Sequence, residues 1–130
     1  MKDINSLIHT IIGAAYTVHN TLGAGFLESV YENSLKIELE KLSIKTKAQH
    51  AIHVYYANQI VGDFKADLYI EDCLIIELKA VQTLAPIHEV QLVNYLVATG
   101  IDHGLLINFG KSVEVKRKFR KYQPKNIRQD

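Results

Sequence analysis

The sequence predicts an α/β domain, and three observations carry that reading. Apolar residues recur at helical spacing over the first forty or so positions. From about residue 48 the composition turns β-branched and aromatic. A proline-started helical segment then separates two further apolar runs. The implied order is α-α-β-β-β-β-α-β-β, with some strands joined as hairpins and others by a crossover helix.

Ile4, Leu7, Ile8, Ile11, Ile12, Ala15 and Val18 lie on one helical stripe, so residues 3–22 read as an amphipathic helix. Asp3 is placed to cap its start, and Gly23 and Gly25 mark its end. A second helix covers about 26–42, with Leu27, Val30, Leu35 and Leu39 as its expected buried positions. "HAIHVYYA", "QIVG", "FKADLYI" and "CLIIELKAV" follow as strands, separated by the turn-prone pairs "AN" and "ED". Pro86 suits the first turn of a third helix, 86–99, which Gly100 stops. "HGLLINFG" reads as a buried strand, and "EVKRKF" as an edge strand whose lysines discourage further pairing.

The chain has 130 residues, 48% hydrophobic and 22% charged, within the ordinary globular range and long enough for a core of its own. Its single cysteine, Cys73, excludes an internal disulfide and fits a reducing compartment. No apolar run approaches the roughly 18 residues that cross a bilayer, and residues 1–6 have no signal-peptide layout. The expectation is a soluble cytoplasmic protein with no membrane partner. Charge is uneven: residues 111–130 carry eight bases against two acids, a net +6, and residues 1–110 carry seven against twelve, a net −5. Such a basic end, with Lys116, Arg117, Lys118 and Arg120 at its centre, reads either as a phosphate-backbone contact or as a solubilising tail. The division expected is a domain over 1–122 and a basic tail over 123–130.

Three charges interrupt the central strands. In "FKADLYI", strict alternation puts Phe64, Ala66, Leu68 and Ile70 on one face and Asp67 on the other. In "CLIIELKAV", Glu77 and Lys79 share a face within a run that is otherwise apolar. A turn at about Glu71–Asp72 lies midway between 67 and 77, so hairpin pairing brings the two acids near one another. From spacing alone two arrangements remain. Glu77 can pair with Lys79 while Asp67 faces solvent, or the two acids can hold a divalent cation between them. For the second, magnesium suits the oxygen ligands and Lys79 can orient water or stabilise charge on a phosphate.

The pattern Asp-x9-Glu-x-Lys on adjacent strands resembles the core of the PD-(D/E)XK nuclease superfamily. Gln91 and Tyr95 in "QLVNY" resemble the Gln-x-x-x-Tyr element of its RecB-like branch. Gly25, Glu28 and Tyr31 in "LGAGFLESVYENSL" match the motif that names the GxxExxY family, and "GLLINFG" follows near the end. Ala66 stands where the superfamily's motif expects proline. The resemblance runs from about Ile8 to Phe119. It implies a restriction-endonuclease-like core, a mixed β-sheet flanked by helices. It also implies hydrolysis of phosphodiester bonds in DNA, less readily RNA, by a metal-activated water, with Mg²⁺ and Mn²⁺ as its substitute.

Residue by residue, the resemblance makes Asp67, Glu77, the Leu78 carbonyl and Glu28 the metal ligands, with Lys79 as the base or water-orienting group. Gln91 would bind phosphate or fix Lys79. Tyr95 and Tyr31 would lie against the substrate. Taken alone, Glu28 also reads as an ordinary first-turn acid favoured by the helix dipole. The rival to an enzyme is a nucleic-acid-binding or assembly module that keeps the fold with little cleavage, and a homodimer or protein partner is expected to help hold substrate. Zinc is excluded by the lack of any clustered His/Cys pattern. His88, one turn before Gln91, is the histidine placed to approach a phosphate, and Cys73 has no basic partner in sequence.

Overall fold

The structure, a computed structural model, describes residues 3–120, so the tail expected over 123–130 lies outside the described residues. Helix α1 (Ile4–Leu22) opens on Asp3, whose carboxylate accepts the Ser6 N–H at 2.9 Å and satisfies one of the helix's free donors. Its stripe of Leu7, Ile8, Ile11, Ala15 and Val18 is buried, as the spacing predicts. Helix α2 (Glu28–Lys41) buries Tyr31, Leu35 and Leu39. Leu27 was expected among them but is 76% exposed, because it is the cap residue outside the first turn and does not share the helix's inward stripe.

Strands β1 (Thr46–Tyr56) and β2 (Gln59–Ile70) form a long antiparallel hairpin. Ala57 and Asn58 turn it with φ of 52° and 62°, the pair of positive values that a two-residue hairpin turn requires. "QIVG" and "FKADLYI", expected as two strands, are one, since Gly62 pairs with Val54 and the ladder runs on through it. Strand β3 (Leu74–Lys79) follows after Glu71–Cys73. Helix α3 (Pro86–Thr99) crosses over to β4 (His103–Phe109), and β5 (Val113–Phe119) closes the chain's described part. Sheet order is β1-β2-β3-β4-β5, with only β3 and β4 parallel. This is the predicted α/β architecture, a mixed five-stranded sheet flanked by helices, with β5 at its edge.

Helices α1 and α2 cover one face, where Leu7, Ile11, Tyr31, Leu35, Leu78 and Ile107 form the larger core. Helix α3 covers the other, packing Leu92 and Leu96 on Ile52, Ile75 and Leu106. Alternation along β2 is not strict. Ala66 packs with the α3 side, whereas Leu68 and Ile70 pack with α1 and α2, so the strand reverses its facing at Asp67. The cause sits across the ladder. Ala48 pairs with Leu68 and His50 with Ala66, but Gln49, between them, has φ of 54° and no regular partner.

Candidate active site

The β2–β3 ladder is regular only over Leu68–Ile70 and Leu74–Ile76. One step beyond it, side chains take over from backbone. Glu77 Oε2 accepts the Asp67 N–H at 3.1 Å, and Asp67 Oδ2 accepts the Leu78 N–H at 2.7 Å. Each acid thus satisfies a donor of the other's strand. The reciprocal bonds fix both carboxyls at the mouth where β2 and β3 part. Lys79, two residues on and half-buried, shares the Glu77 side of β3.

Electrostatics at this mouth are strained in one direction. Burial, then the neighbouring Asp67 charge, pushes the Glu77 carboxyl up from its ordinary 4.5 to about 8. Burial also raises Asp67, against the Leu78 hydrogen bond, Gln49 and the charge of Lys79, which pull it down. A third acid takes part, one the sequence reading missed: Glu32, on α2. Burial raises its carboxyl first, and the charges of Asp67 and Glu28 raise it further. Its own charge in turn raises Glu77. Both Glu32 oxygens accept from Gln49 Nε2 at 3.0 Å.

Glu28, expected to face the pair from α2, is exposed at the first turn, and the acid whose charge acts on Glu77 is Glu32. The two are four apart on one helix face, so Glu32 sits one turn deeper, where α2 packs on the sheet. A like-charged pair at that spacing is itself a cost, and was the available clue.

Beyond Lys79 the chain is clamped by Asn108. This side chain, 1% exposed, donates to the Val81 carbonyl and accepts the Val81 N–H, both at 2.9 Å, which extends the β3–β4 ladder by a side-chain imitation. Gly110 is needed beside it, since a Cβ there would stand 2.7 Å from the Val81 carbonyl oxygen. His19 Nε2 donates to the Gly110 carbonyl at 2.9 Å. "INFG" therefore sets where the strand carrying Glu77 and Lys79 ends.

Tyr31 has a structural task in place of the expected substrate contact. It is fully buried, stacks on Phe109 with centroids 4.6 Å apart, and ties the α1–α2 loop. Its hydroxyl donates to the Gly23 carbonyl at 2.6 Å and accepts the Phe26 N–H at 3.2 Å. His88 is likewise committed, its Nδ1 accepting the Ala85 N–H at the start of α3.

Gln91 and Tyr95 do share a face of α3. Gln91 is exposed, and Tyr95 packs against Phe64 with its hydroxyl held above its ordinary titration by burial and by the charges of Glu77 and Asp67.

The basic strand does not form one patch. Period-two geometry sends Lys118 toward α3, where it pairs with Glu89 at 2.9 Å. Arg117 goes toward α1, where it donates to Asn5 at 2.8 Å. Arg120 pairs with Asp102 at 2.8 Å, which leaves Lys116 as the exposed member of the four.

Asp67 and Glu77 fit a small hard divalent cation. Each keeps one oxygen outside the reciprocal bonds, and their repulsion and burial are what such an ion relieves. Among the described residues no three carboxylate, imidazole or thiol groups already stand around one point. Two carboxylates, with a backbone carbonyl and water completing the shell, is the arrangement suited to an ion that dehydrates reluctantly.

The chain that folds into this sheet matches a known family. The sequence profile of the PD-(D/E)XK nuclease superfamily covers residues 5–121, and the chain belongs to that superfamily. Among solved structures it resembles SSO0001, with TM-score 0.56 and 16% identity over 73% of this chain. It also resembles an alkaline exonuclease (LHK-Exo) from Laribacter hongkongensis, with TM-score 0.53 and 11% identity over 93% of this chain. The chain spans 50% of the first protein's length and 72% of the second's. Comparison with curated proteins gives no match. Among the described residues no helix is long and apolar enough to cross a membrane.

Proposed function

We propose that this domain hydrolyses phosphodiester bonds of nucleic acid, DNA in preference to RNA, with Mg²⁺ at the Asp67–Glu77 mouth and Mn²⁺ as its substitute. One observation carries the reading: two acids on neighbouring strands sit together half-buried, each held by a backbone N–H of the other's strand, at a cost in desolvation and repulsion that a structural role does not need. The superfamily match and the fold shared with an alkaline exonuclease support it. The GxxExxY motif supports the narrower placement in that family of the RecB-like branch. Here Gly25 turns the loop with φ of 105° and Tyr31 anchors it.

When bound, the cation supplies charge neutralisation at the scissile phosphate and lowers the pKa of water. The chain's own residues do the rest. Asp67 and Glu77 would hold the ion with the Leu78 carbonyl as a further ligand, and Glu32 adds negative charge from α2. Lys79 places its ammonium beside the acids, where it orients the attacking water and meets charge that grows on phosphorus oxygens. Gln91, exposed on α3, reaches phosphate, and Tyr95 borders the acids with a neutral hydroxyl.

Lys79→Ala tests this on short DNA and RNA with Mg²⁺ or Mn²⁺. Single-turnover cleavage is expected to fall about 10²-fold or more, with affinity changed by less than about tenfold, since one phosphate contact is a small share of binding. If wild type binds these substrates and cuts none, and Lys79→Ala alters only affinity, the domain is a binding module.

A further inference from the structure

Beside the acid mouth, between the β1–β2 hairpin and the outer face of α3, lies a cleft of about 730 Å³. Val54, Tyr55 and Phe64 form the hairpin wall, and Gln91, Asn94 and Tyr95 the helix wall. Its position follows from the fold. β3 pairs with β2 only from Leu68 onward, so the outer half of the hairpin is a two-stranded ribbon extending past the sheet alongside α3. That ribbon leaves large side chains open to solvent, with Tyr55 61% and Phe64 41% exposed. Val90 and Val97 of α3 are also exposed. Exposed apolar and aromatic side chains thus gather on both walls of one concave cleft, the form that ligand sites take.

Two features select the occupant. Tyr95 belongs to both places: it lines the cleft and packs in one cluster with Ala66 and Ile75, which flank Asp67 and Glu77 along their strands, so the cleft opens beside the acids. The lining also contains no acid and no base, only apolar and aromatic groups with the carboxamides of Gln91 and Asn94. Apart from Gln91, whose carboxamide can also reach a phosphate, such a wall does not suit one. It suits a flat, uncharged ring with hydrogen-bonding edges, and carboxamides can donate to and accept from such edges.

We propose that this cleft receives an unstacked nucleobase next to the scissile phosphate, so that the domain acts on single-stranded or frayed nucleic acid. The inference rests on nucleic acid being what lies along the acid pair. Paired duplex cannot enter, because its bases present no free face.

The test uses the whole chain with Mg²⁺ and a short single-stranded DNA carrying 2-aminopurine. Two comparisons run beside it: the same length with abasic sites, and the matching duplex. The base-bearing strand is expected to bind about tenfold or more tightly than the abasic strand, with 2-aminopurine fluorescence quenched by stacking. Tyr55→Ala, a truncation of an exposed ring, is expected to lose most of the quenching and about tenfold in affinity. Tyr16→Ala, an exposed tyrosine on α1 at the opposite face, is expected to change neither.

Equal binding of base-bearing and abasic strands, or Tyr55→Ala indistinguishable from wild type, overturns the inference. So does a concentration-dependent dimer in sedimentation that Tyr55→Ala dissociates, since a second copy would then fill the cleft. The two proposals fail separately. Cleavage without base preference removes the cleft inference alone, and base-dependent binding without cleavage removes the nuclease reading alone.

Discussion

Glu77→Gln in the metal-free protein isolates the strain built into the acid pair. The folded carboxyl titrates at about 8 and the unfolded one near 4.5. Between those values the folded state holds a proton that the unfolded state has released, so stability falls as pH rises through the window. At 1.36 kcal/mol per pKa unit the full loss reaches at most about 5 kcal/mol, and water entry and relaxation bring it toward about 2 kcal/mol. Glutamine keeps a carbonyl to accept the Asp67 N–H but carries no charge. The variant should therefore match wild type at about pH 4, below the unfolded value, and exceed it by about 2–5 kcal/mol at about pH 8.5. For a chain of this size that is a gain of about 6 °C or more in Tm. Circular-dichroism melts in EDTA at both pH values read it, and the difference from wild type cancels every contribution that the two proteins share. Added Mg²⁺ should then raise Tm of wild type more than of the variant, since only the carboxylate pair offers the full site. A variant less stable than wild type at the higher pH would show that Glu77 has a stabilising partner, and the reasoning from burial and repulsion would fail.

Three further outcomes follow from the supporting residues. Asn108→Ala removes both bonds to Val81 and leaves its half-buried N–H and carbonyl unpaired, so urea unfolding should show a loss of about 1–3 kcal/mol. A loss below about 0.5 kcal/mol would mean that water replaces the clamp. Gln49→Ala strips Glu32 of its donor, so the Glu32 carboxyl should titrate higher still in a ¹³C carboxyl NMR titration. An unmoved Glu32 would show that the bond is not maintained in solution. Tyr31→Phe keeps the stack on Phe109 but frees Gly23 and Phe26, with an expected cost of about 1–2 kcal/mol and unchanged nucleic-acid affinity. A large affinity loss in Tyr31→Phe would return this residue to the substrate surface.

Local pattern carried a good part of this protein. Helical spacing from Ile4 to Val18, Pro86 and Gly100 around α3, and the "AN" and "ED" turns are short-range features. Each is set by the backbone preferences of a few neighbouring residues. Counting outward from the Glu71–Asp72 turn places Asp67 opposite Glu77, because a hairpin's register follows from its turn. What the sequence could not decide depends on contacts far apart in the chain. Gln49 breaks the ladder opposite Asp67 and reverses the facing of β2, so alternation misassigned Ala66. Glu32, not Glu28, is the α2 acid whose charge acts on Glu77, because the packing of α2 on the sheet fixes which turn of the helix meets the acids, and the like-charged spacing of the two could hint at this but not decide it. Asn108 finds Val81 across the crossover, and Tyr31 closes on Gly23 behind the sheet. The bases of β5 are divided between α1 and α3 because a strand presents alternate residues to opposite faces. Their partners Asn5 and Glu89 exist only once those helices have docked.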